Sequence, residues 1–397
     1  MKYVSNEILY TKRTSGLFAI CAVSALAGSL WLLSACVPWL AVLSLAVLLF
    51  LPPQMSRWQD RLLVAFLYLV PATASIVPSY SAFFHTQPAY GGVAVWLVVA
   101  FLLALPWMLA RGPWSTLLAS SLSGVIGPLS VWPLVGVLFP GTGPLGLIPF
   151  VLVVLCAGEL GALLARGRPA TLTDSGVWIL LGFAVLTNIT TMMTPKPRPP
   201  AGWVAVNTHE VQQTGNDVFA GLRATQQVID AGLAHPAARV LVFPEAVLDN
   251  MLPGTVSMVS QAVPQGQTWL IGAEDGQHDA TWRFQRGKPP VLVSDSVLPM
   301  PVSMWRPWQL AVSYQPAWHK AAFEQSGKQV WASICYEQVL PWSWLQALWA
   351  QPELVLLQSN GWWASRGNSA PSIQRAQAYA WIRLMGLPVV EARNTQQ

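Results

Sequence analysis

Three short segments of the sequence each combine an apolar run with a polar or reactive side chain directly after it. They read ARVLVFPE, QVWASIC and ELVLLQSN, so that Glu245, Cys335 and Asn360 each follow a strand-like run. In open α/β folds, side chains just beyond the strand ends converge on the ligand-binding crevice. A carboxylate, a thiol and an amide in one pocket could perform acyl transfer, because a carboxylate can accept the thiol proton and the thiolate can attack a carbonyl carbon.

Each of these residues also has a simpler structural interpretation. Cys335 is the one cysteine outside the strongly apolar half of the chain, so it has no nearby partner for a disulfide or a metal site and is either a buried filler or a nucleophile. Glu245 could be a carboxylate at a helix start, and Asn360 a turn residue. The five histidines have no convincing place in the scheme, and we expect neither a metal nor a cofactor. The order of the three segments favours a catalytic site.

The elements that must position these residues belong to two different kinds of sequence. Residues 1–195 contain twelve charged side chains and residues 196–397 contain twenty-seven. Three segments of the first half lack Asp, Glu, Lys and Arg, and each is about twice the ~20 residues that cross a bilayer as a helix: 14–56, 62–110 and 112–158. Each predicts a helical hairpin. With one further segment at 175–195, the sequence predicts a membrane domain of about seven transmembrane helices over residues 1–195.

The positive charges of the first half predict its orientation. Lys and Arg side chains lie before, between and after the three hairpins, whereas the hairpin tips have none. The positive-inside rule therefore predicts a multi-pass protein of the bacterial inner membrane with a cytoplasmic N-terminus and a periplasmic second half. The net charge of +5 largely reflects this asymmetry, so we expect no direct nucleic-acid binding.

The second half has the pattern of an α/β domain. After a polar linker at 196–202, short β-rich runs alternate with helical patterns over residues 203–397. We expect strands in WVAVNT, ARVLVF, TWLIGA, QVWASIC, ELVLLQS and LPVVE, and helices at 217–234, 343–350 and 372–385. The stretch 296–327 is rich in Pro and Trp and predicts a loop or lid.

The three segments together carry a family resemblance. VLVFPEAVLD, SICYEQVLPW and LLQSNGWWAS, in this order, resemble the carbon–nitrogen hydrolase (nitrilase) superfamily, and in particular the apolipoprotein N-acyltransferases. The chain is also similar to the conjugal-transfer TraB proteins, for which MPVSMWRPW is suggestive. The resemblance implies a four-layer αββα sandwich, with Glu245 as general base, Cys335 as nucleophile and Tyr336, Glu337 and Asn360 as supporting residues.

The sequence departs from the family pattern in three respects. The family places a catalytic lysine between the glutamate and the cysteine, but here that position falls on 294–296, in VSDSVL, which has no lysine. Lys288 and Lys320 are the nearby alternatives. The segment between Glu245 and Cys335 is short, which implies a reduced lid. The sequence also stops at RNTQQ, where the apolipoprotein N-acyltransferases continue through further strands into a last transmembrane helix, so we expect the domain to be short at its C-terminus.

Two kinds of function follow from these features. The first is a membrane-bound enzyme for acyl transfer or amide hydrolysis through a thioester on Cys335, which acts on a phospholipid or on another acylated or amide substrate in conjugal plasmid transfer or lipoprotein processing. The second is a catalytically impaired scaffold with protein partners in a conjugation or envelope machine, which the missing lysine favours. A transporter is disfavoured because the apolar half has few ionisable groups.

Overall fold

The chain folds into a helical unit and an α/β unit. The computed structural model describes residues 2–84, 90–125, 127–168, 175–209, 218–248, 251–364 and 367–396. The helical unit comprises residues up to 194 together with 339–341 and 368–385, and the α/β unit comprises 195–338, 342–367 and 386–397. The units are therefore not a simple division of the chain into halves.

Ten helices form the first part of the helical unit in the described residues. Their bounds are α1 (Lys2–Ser29), α2 (Pro38–Leu43), α3 (Leu45–Phe50), α4 (Trp58–Ala72), α5 (Ile76–Phe84), α6 (Tyr90–Ala104), α7 (Pro113–Ser123), α8 (Leu134–Leu138), α9 (Leu147–Ala165) and α10 (Ser175–Met193). Prolines stand at the first position of α2 and α7, where a missing N–H costs no intrahelical hydrogen bond.

Four helical segments are long and apolar enough to cross a membrane. They are Gly16–Leu33, Tyr90–Leu109, Gly143–Ala165 and Gly176–Met193, and the bent pair of α4 and α5 is a fifth candidate if it forms one span. The segment Pro38–Gln54 is apolar but shorter. The seven crossings predicted from the charge-free segments thus remain a prediction, because several of these segments break into helices too short to span a bilayer by themselves.

Several buried polar side chains in the helical unit have partners within it. The Trp31 ring nitrogen donates to the Tyr68 hydroxyl at 3.0 Å, and that hydroxyl lies 2.7 Å from Ser44 Oγ. Arg61 is buried and donates to the carbonyl oxygens of Met55 and Met108. Such pairing is needed because an unsatisfied polar group inside an apolar bundle is costly.

One helix of the helical unit comes from near the end of the sequence. The helix Ala370–Met385 packs against α2 and α8, although the sequence pattern assigned it to the second domain. Its Gln377 donates to the Pro128 carbonyl oxygen at 2.7 Å, and the Arg383 guanidinium donates to Asn188 Oδ1 at 2.5 Å. Polar side chains that find partners among apolar helices explain why this polar helix lies there.

The α/β unit contains three further helices and two sheets. The helices are α11 (Val218–Leu233), α12 (Pro253–Ala262) and α13 (Pro341–Ala350), and Ala370–Met385 becomes α14. The strands are β1 (Trp203–Ala205), β2 (Thr208–His209), β3 (Val240–Val242), β4 (Thr268–Glu274), β5 (Asp279–Phe284), β6 (Val291–Asp295), β7 (Phe323–Gln325), β8 (Lys328–Ile334), β9 (Leu354–Gly361) and β10 (Val389–Thr395).

Each sheet has five strands and mixed pairing. Sheet A has the order β1-β3-β4-β5-β6 and sheet B the order β2-β10-β9-β8-β7. In sheet A the strands β1, β3 and β4 are parallel, and β5 and β6 continue antiparallel. In sheet B only β7 pairs antiparallel. The carboxyl ends of β8 and β9 therefore lie at one edge of sheet B, as do those of β3 and β4 in sheet A.

Apolar faces hold the layers of the α/β unit together. One core cluster joins inward-facing residues of the two sheets, such as Val242 and Leu270 of sheet A with Ala332 and Leu356 of sheet B. A second cluster covers the other face of sheet A with α11 and α12. Alternation along each strand separates the two faces, because successive side chains point to opposite sides.

The predicted fold class is confirmed. Apolar helices of membrane-spanning length precede an α/β unit with two packed mixed sheets. The predicted strands lie in β1 to β4 and β8 to β10, and the segment 296–327 is largely irregular. The prediction omitted β5, β6 and β7, because DATWRF, VLVSD and FEQ contain polar and charged residues instead of a continuous apolar run.

Candidate active site

Glu245 lies just beyond β3 and is held close to β4. Its side chain is buried, and the next residue, Ala246, has a positive φ of 47°. The turn passes so near to Gly272 that a Cβ there would lie 2.3 Å from the Pro244 carbonyl oxygen and 2.5 Å from the Glu245 Cα. Glycine at 272 is therefore required for this path, since a Cβ essentially never approaches backbone atoms so closely.

Cys335 lies at the sharp turn that follows β8. Its φ of 39° is in the left-handed region, which side chains rarely adopt. A non-glycine residue in this region costs on the order of 1–3 kcal/mol, and such residues concentrate at functional sites. Cys335 as a whole residue is half-buried, whereas the strand residues directly before it are buried.

The structure brings Glu245, Cys335 and Asn360 into one hydrogen-bonded group. The carboxyl of Glu245 is hydrogen-bonded to the Cys335 thiol. The Asn360 main-chain N–H donates to Glu245 Oε2 at 2.8 Å. Asn360 Oδ1 in turn accepts from Asn394 Nδ2 at 2.8 Å in the neighbouring strand β10. The two sheets therefore each supply part of one site, as the strand-end pattern predicted.

The surroundings of Glu245 and Cys335 disfavour ionisation of the carboxyl and of the thiol. Burial raises the pKa of Glu245 to about 8, and the charges of Glu274 and Glu337 act in the same direction. Burial and the adjacent carboxyl of Glu245 raise the pKa of the Cys335 thiol well above its ordinary value. At neutral pH the resting pair is therefore a thiol beside a carboxylic acid.

Glu337 lies in the turn after Cys335 and stabilises this turn through its carboxylate. Its carboxylate is fully buried and accepts main-chain N–H bonds from Ile334 and Val297, both at 2.8 Å. It also forms an ion pair with Lys320, whose ammonium donates to the Ala332 carbonyl oxygen at 2.6 Å. The ammonium lies 5.0 Å from the centre of the Trp331 ring.

Lys320 and Lys288, the two lysines that could replace the lysine of the family pattern, both have other contacts. Lys320 is tied to Glu337, and Lys288 is exposed and bonded to Gln285 at 3.2 Å. At the position that the resemblance assigns to lysine, Ser294 is buried opposite Thr281 and its hydroxyl has no hydrogen-bond partner. Tyr336 is half-buried, and burial raises the pKa of its phenol.

Further acidic residues surround the pair, and the sequence analysis missed them. Glu274 ends β4 and Asp279 begins β5, and the two are direct partners across the hairpin. Asp295 ends β6, and burial raises its pKa to about 6. The strand-end rule that found Glu245 applies equally to Glu274, which follows the run TWLIGA. Asp279 and Asp295 could have been found only if β5 and β6 had been predicted.

Two other side chains connect this region. Gln358 Nε2 donates to the Phe243 carbonyl oxygen at 2.6 Å, and its Oε1 accepts from Thr281 Oγ1 at 2.5 Å, so this glutamine joins both sheets. Tyr314, from the irregular segment, donates to Glu274 Oε2 at 2.5 Å. Among the described residues, none of the His, Cys, Asp and Glu side chains forms a group that could hold a metal ion.

The structure thus combines helices of membrane-spanning length and apolar composition with an α/β unit in which a cysteine and a glutamate share one site. Solved structures similar to the chain include an amidase from Nesterenkonia with acrylamide added to its active-site cysteine, at 13% identity and a TM-score of 0.34, over 48% of this chain and 77% of that one. A carbon–nitrogen hydrolase from Helicobacter pylori has 14% identity and a TM-score of 0.33, over 48% and 72%.

Two curated relatives are named as conjugal transfer proteins TraB, one of them as probable, so the predicted resemblance to the TraB proteins is confirmed. The chain is 31% identical over 271 residues to conjugal transfer protein TraB of Agrobacterium fabrum, covering 66% of this chain and 60% of that protein. It is 26% identical over 382 residues to probable conjugal transfer protein TraB of Sinorhizobium fredii, covering 89% and 93%. The chain thus spans less than two thirds of the first relative. No protein-family model matches the chain.

Proposed function

We propose that this protein is a membrane-bound enzyme of conjugal plasmid transfer that moves or hydrolyses an acyl group through a thioester on Cys335. The observation that carries the proposal is the hydrogen bond between the Cys335 thiol and the Glu245 carboxyl, at a backbone turn whose positive φ holds the thiol at the strand end. The names of the relatives support the process, and the apolar helices support the membrane location.

The chemistry begins when Glu245, as carboxylate, accepts the Cys335 proton. The thiolate then attacks the carbonyl carbon of an ester or amide, and a C–S bond forms while the C–O or C–N bond breaks. Glu245 returns its proton to the leaving alcohol or amine. An acceptor amine or water next attacks the thioester, passes a proton to Glu245, and releases the thiol when that proton returns to sulfur.

The localisation and the substrate belong to the same proposal. We place the α/β unit in the periplasm and the protein in the inner membrane, because the Lys and Arg side chains of the first half lie before, between and after the three charge-free segments, whereas the predicted hairpin tips have none. A phospholipid or another acylated or amide compound then serves as acyl donor. Protein partners come from the conjugation apparatus.

A mass measurement tests this proposal. The protein purified with phospholipid should carry an acyl adduct on Cys335 that hydroxylamine removes, and Cys335→Ser should abolish both the adduct and plasmid transfer. Cys36→Ser is the matched control, since Cys36 is an exposed thiol of the helical unit. An unmodified Cys335, together with full plasmid transfer by Cys335→Ser, would overturn the enzymatic proposal.

A second candidate is a scaffold without turnover. The buried ion pair between Lys320 and Glu337 favours it, because the ammonium that could replace the family's lysine already has an anionic partner. For a scaffold, plasmid transfer should depend on the presence of the folded protein and remain unaffected by Cys335→Ser.

A further inference from the structure

The hairpin of β4 and β5 carries two buried acidic side chains. Glu274 and Asp279 are direct cross-strand partners, and their side chains are 4% and 1% exposed. Like charges directly opposite one another destabilise a sheet, and burial increases that cost. The arrangement therefore calls for protons or for a positive group from another source.

Both acidic side chains face the sheet that carries Cys335. Asp279 shares its face of β5 with Thr281, whose hydroxyl bonds Gln358 of sheet B. Glu274 shares its face of β4 with Leu270, which belongs to the core between the sheets. The two carboxyl groups therefore point toward the layer from which the Cys335 thiol also approaches.

Asp279 has an unused hydrogen-bonding position. Its Oδ1 is buried and has no hydrogen-bond partner. A buried acceptor without a donor is destabilising, so this atom could accept a hydrogen bond from a bound group. Burial, followed by the charges of Glu245, Glu274 and Glu337, raises the pKa of Asp279 well above its ordinary value.

The basic groups beside the cluster are already engaged. Lys320 is bound to Glu337. His278 lies 3.0 Å from Asp275 and 4.0 Å from Asp295. Among the described residues, the ion pairs of Lys320 and His278 are thus formed with other carboxylates, and Asp279 Oδ1 has no hydrogen-bond partner.

We propose that the substrate itself supplies this group: an acyl compound with a protonated amine or guanidinium near its reacting carbonyl, whose positive charge lies against Asp279 while Cys335 attacks the carbonyl carbon. The inference rests on the proposed acyl chemistry at Cys335 and specifies its substrate class. A bound cation stabilises the thiolate and the developing oxyanion, which is the electrostatic task of the absent lysine. It also favours the carboxylate form of Glu245, so that binding prepares the base.

Charged thiol reagents test this proposal directly. We expect the cationic reagent aminoethyl methanethiosulfonate to modify Cys335 at least about tenfold faster than the anionic sulfonatoethyl reagent, after normalisation to the same ratio at Cys36. Peptide mass spectrometry separates the two thiols within one sample. The normalised ratio should rise from pH 6 to pH 9 as Glu245 ionises.

Variants and a competitor separate charge selectivity from misfolding. Asp279→Asn keeps the side-chain shape and should lower the normalised ratio by about threefold or more, as should Glu274→Gln, whereas Glu353→Gln at the exposed pair with Lys328 should leave it unchanged. β-Alaninamide, which is cationic, should protect Cys335 from neutral methyl methanethiosulfonate, and its uncharged N-acetyl form should not.

The outcomes distinguish the two proposals. If the ratio of the two modification rates is the same at Cys335 and at Cys36 at all pH values, and both amides protect Cys335 equally, the proposal of a cationic substrate is wrong. This holds whether or not a thioester forms on Cys335. If Cys335 reacts faster with the cationic reagent but carries no acyl adduct, the binding of a cationic ligand is supported and the acyl-transfer chemistry is wrong.

Discussion

The ammonium group of Lys320 forms a buried ion pair with the carboxylate of Glu337, two residues beyond Cys335. The pair holds the turn in place, because the same carboxylate accepts the main-chain N–H groups of Val297 and Ile334. A lysine in the irregular segment thus has a structural contact that its sequence position did not reveal.

Removal of this ammonium should destabilise the α/β unit. Lys320→Met leaves Glu337 buried without its counter-ion, which typically costs on the order of 3–5 kcal/mol. Thermal unfolding followed by tryptophan fluorescence measures the effect. The control is Lys328→Met, which breaks an exposed pair with Glu353 and should cost about 0–1 kcal/mol. Equal effects of the two variants would contradict a structural role for Lys320.

Alkylation of Cys335 should depend on Glu245. In the wild type the rate with a neutral haloacetamide should rise through about pH 8, where Glu245 ionises and can accept the thiol proton. Glu245→Gln should fold normally and lose this rise near neutral pH, because an amide cannot take the proton. An unchanged pH profile in the variant would show that the two side chains do not act together.

The same titration predicts a pH-dependent stability. The pKa of Glu245 is raised from its ordinary value of 4.5 to about 8, so the native state binds a proton more tightly than the unfolded state. Stability from this group is therefore complete below about pH 4.5 and is lost as the pH rises to about 8. Relative to wild type, Glu245→Gln should gain melting temperature between pH 5 and pH 9; a constant difference would contradict the raised pKa.

Gly272 should be required for the position of Glu245. In Gly272→Ala the new Cβ meets the Pro244 carbonyl oxygen and the Glu245 Cα, so the loop must move away from β4. We expect slower alkylation of Cys335 and a lower melting temperature. Gly254→Ala is the matched control, because a Cβ there meets nothing within 4 Å. If both variants behave alike, the close approach does not position the carboxylate.

Reporter fusions check the orientation of the protein. A reporter that fluoresces only in the cytoplasm should be bright after Gly112 and dark after Gly202. The positive-inside rule places the segment around Arg111, next to Gly112, in the cytoplasm. A bright fusion at Gly202 would invert the orientation and remove the periplasmic assignment.

The sequence predicted the parts of the site that follow strong apolar runs. Glu245, Cys335 and Asn360 end long strand-like segments, and alternation and order along the chain sufficed to bring them together. Asp279 was missed because it begins β5, in which apolar residues alternate with polar and charged ones, whereas the strand-end rule considers only residues that follow a strand. The partner of Lys320 could not be predicted either, since a contact between an irregular segment and a turn depends on tertiary packing.

The helix α14 has a consequence for the biogenesis of the protein. It packs against α2 and α8, yet it is synthesised after nearly all of the α/β unit. A Cβ at Gly136 of α8 would lie 1.6 Å from the Ala380 carbonyl oxygen, so the groove that receives α14 is shaped for its backbone. The helical unit therefore stays incomplete until residues 370–385 have been translated. Truncation before residue 370 leaves the groove open, and expression of residues 196–397 alone leaves α14 without its binding surface.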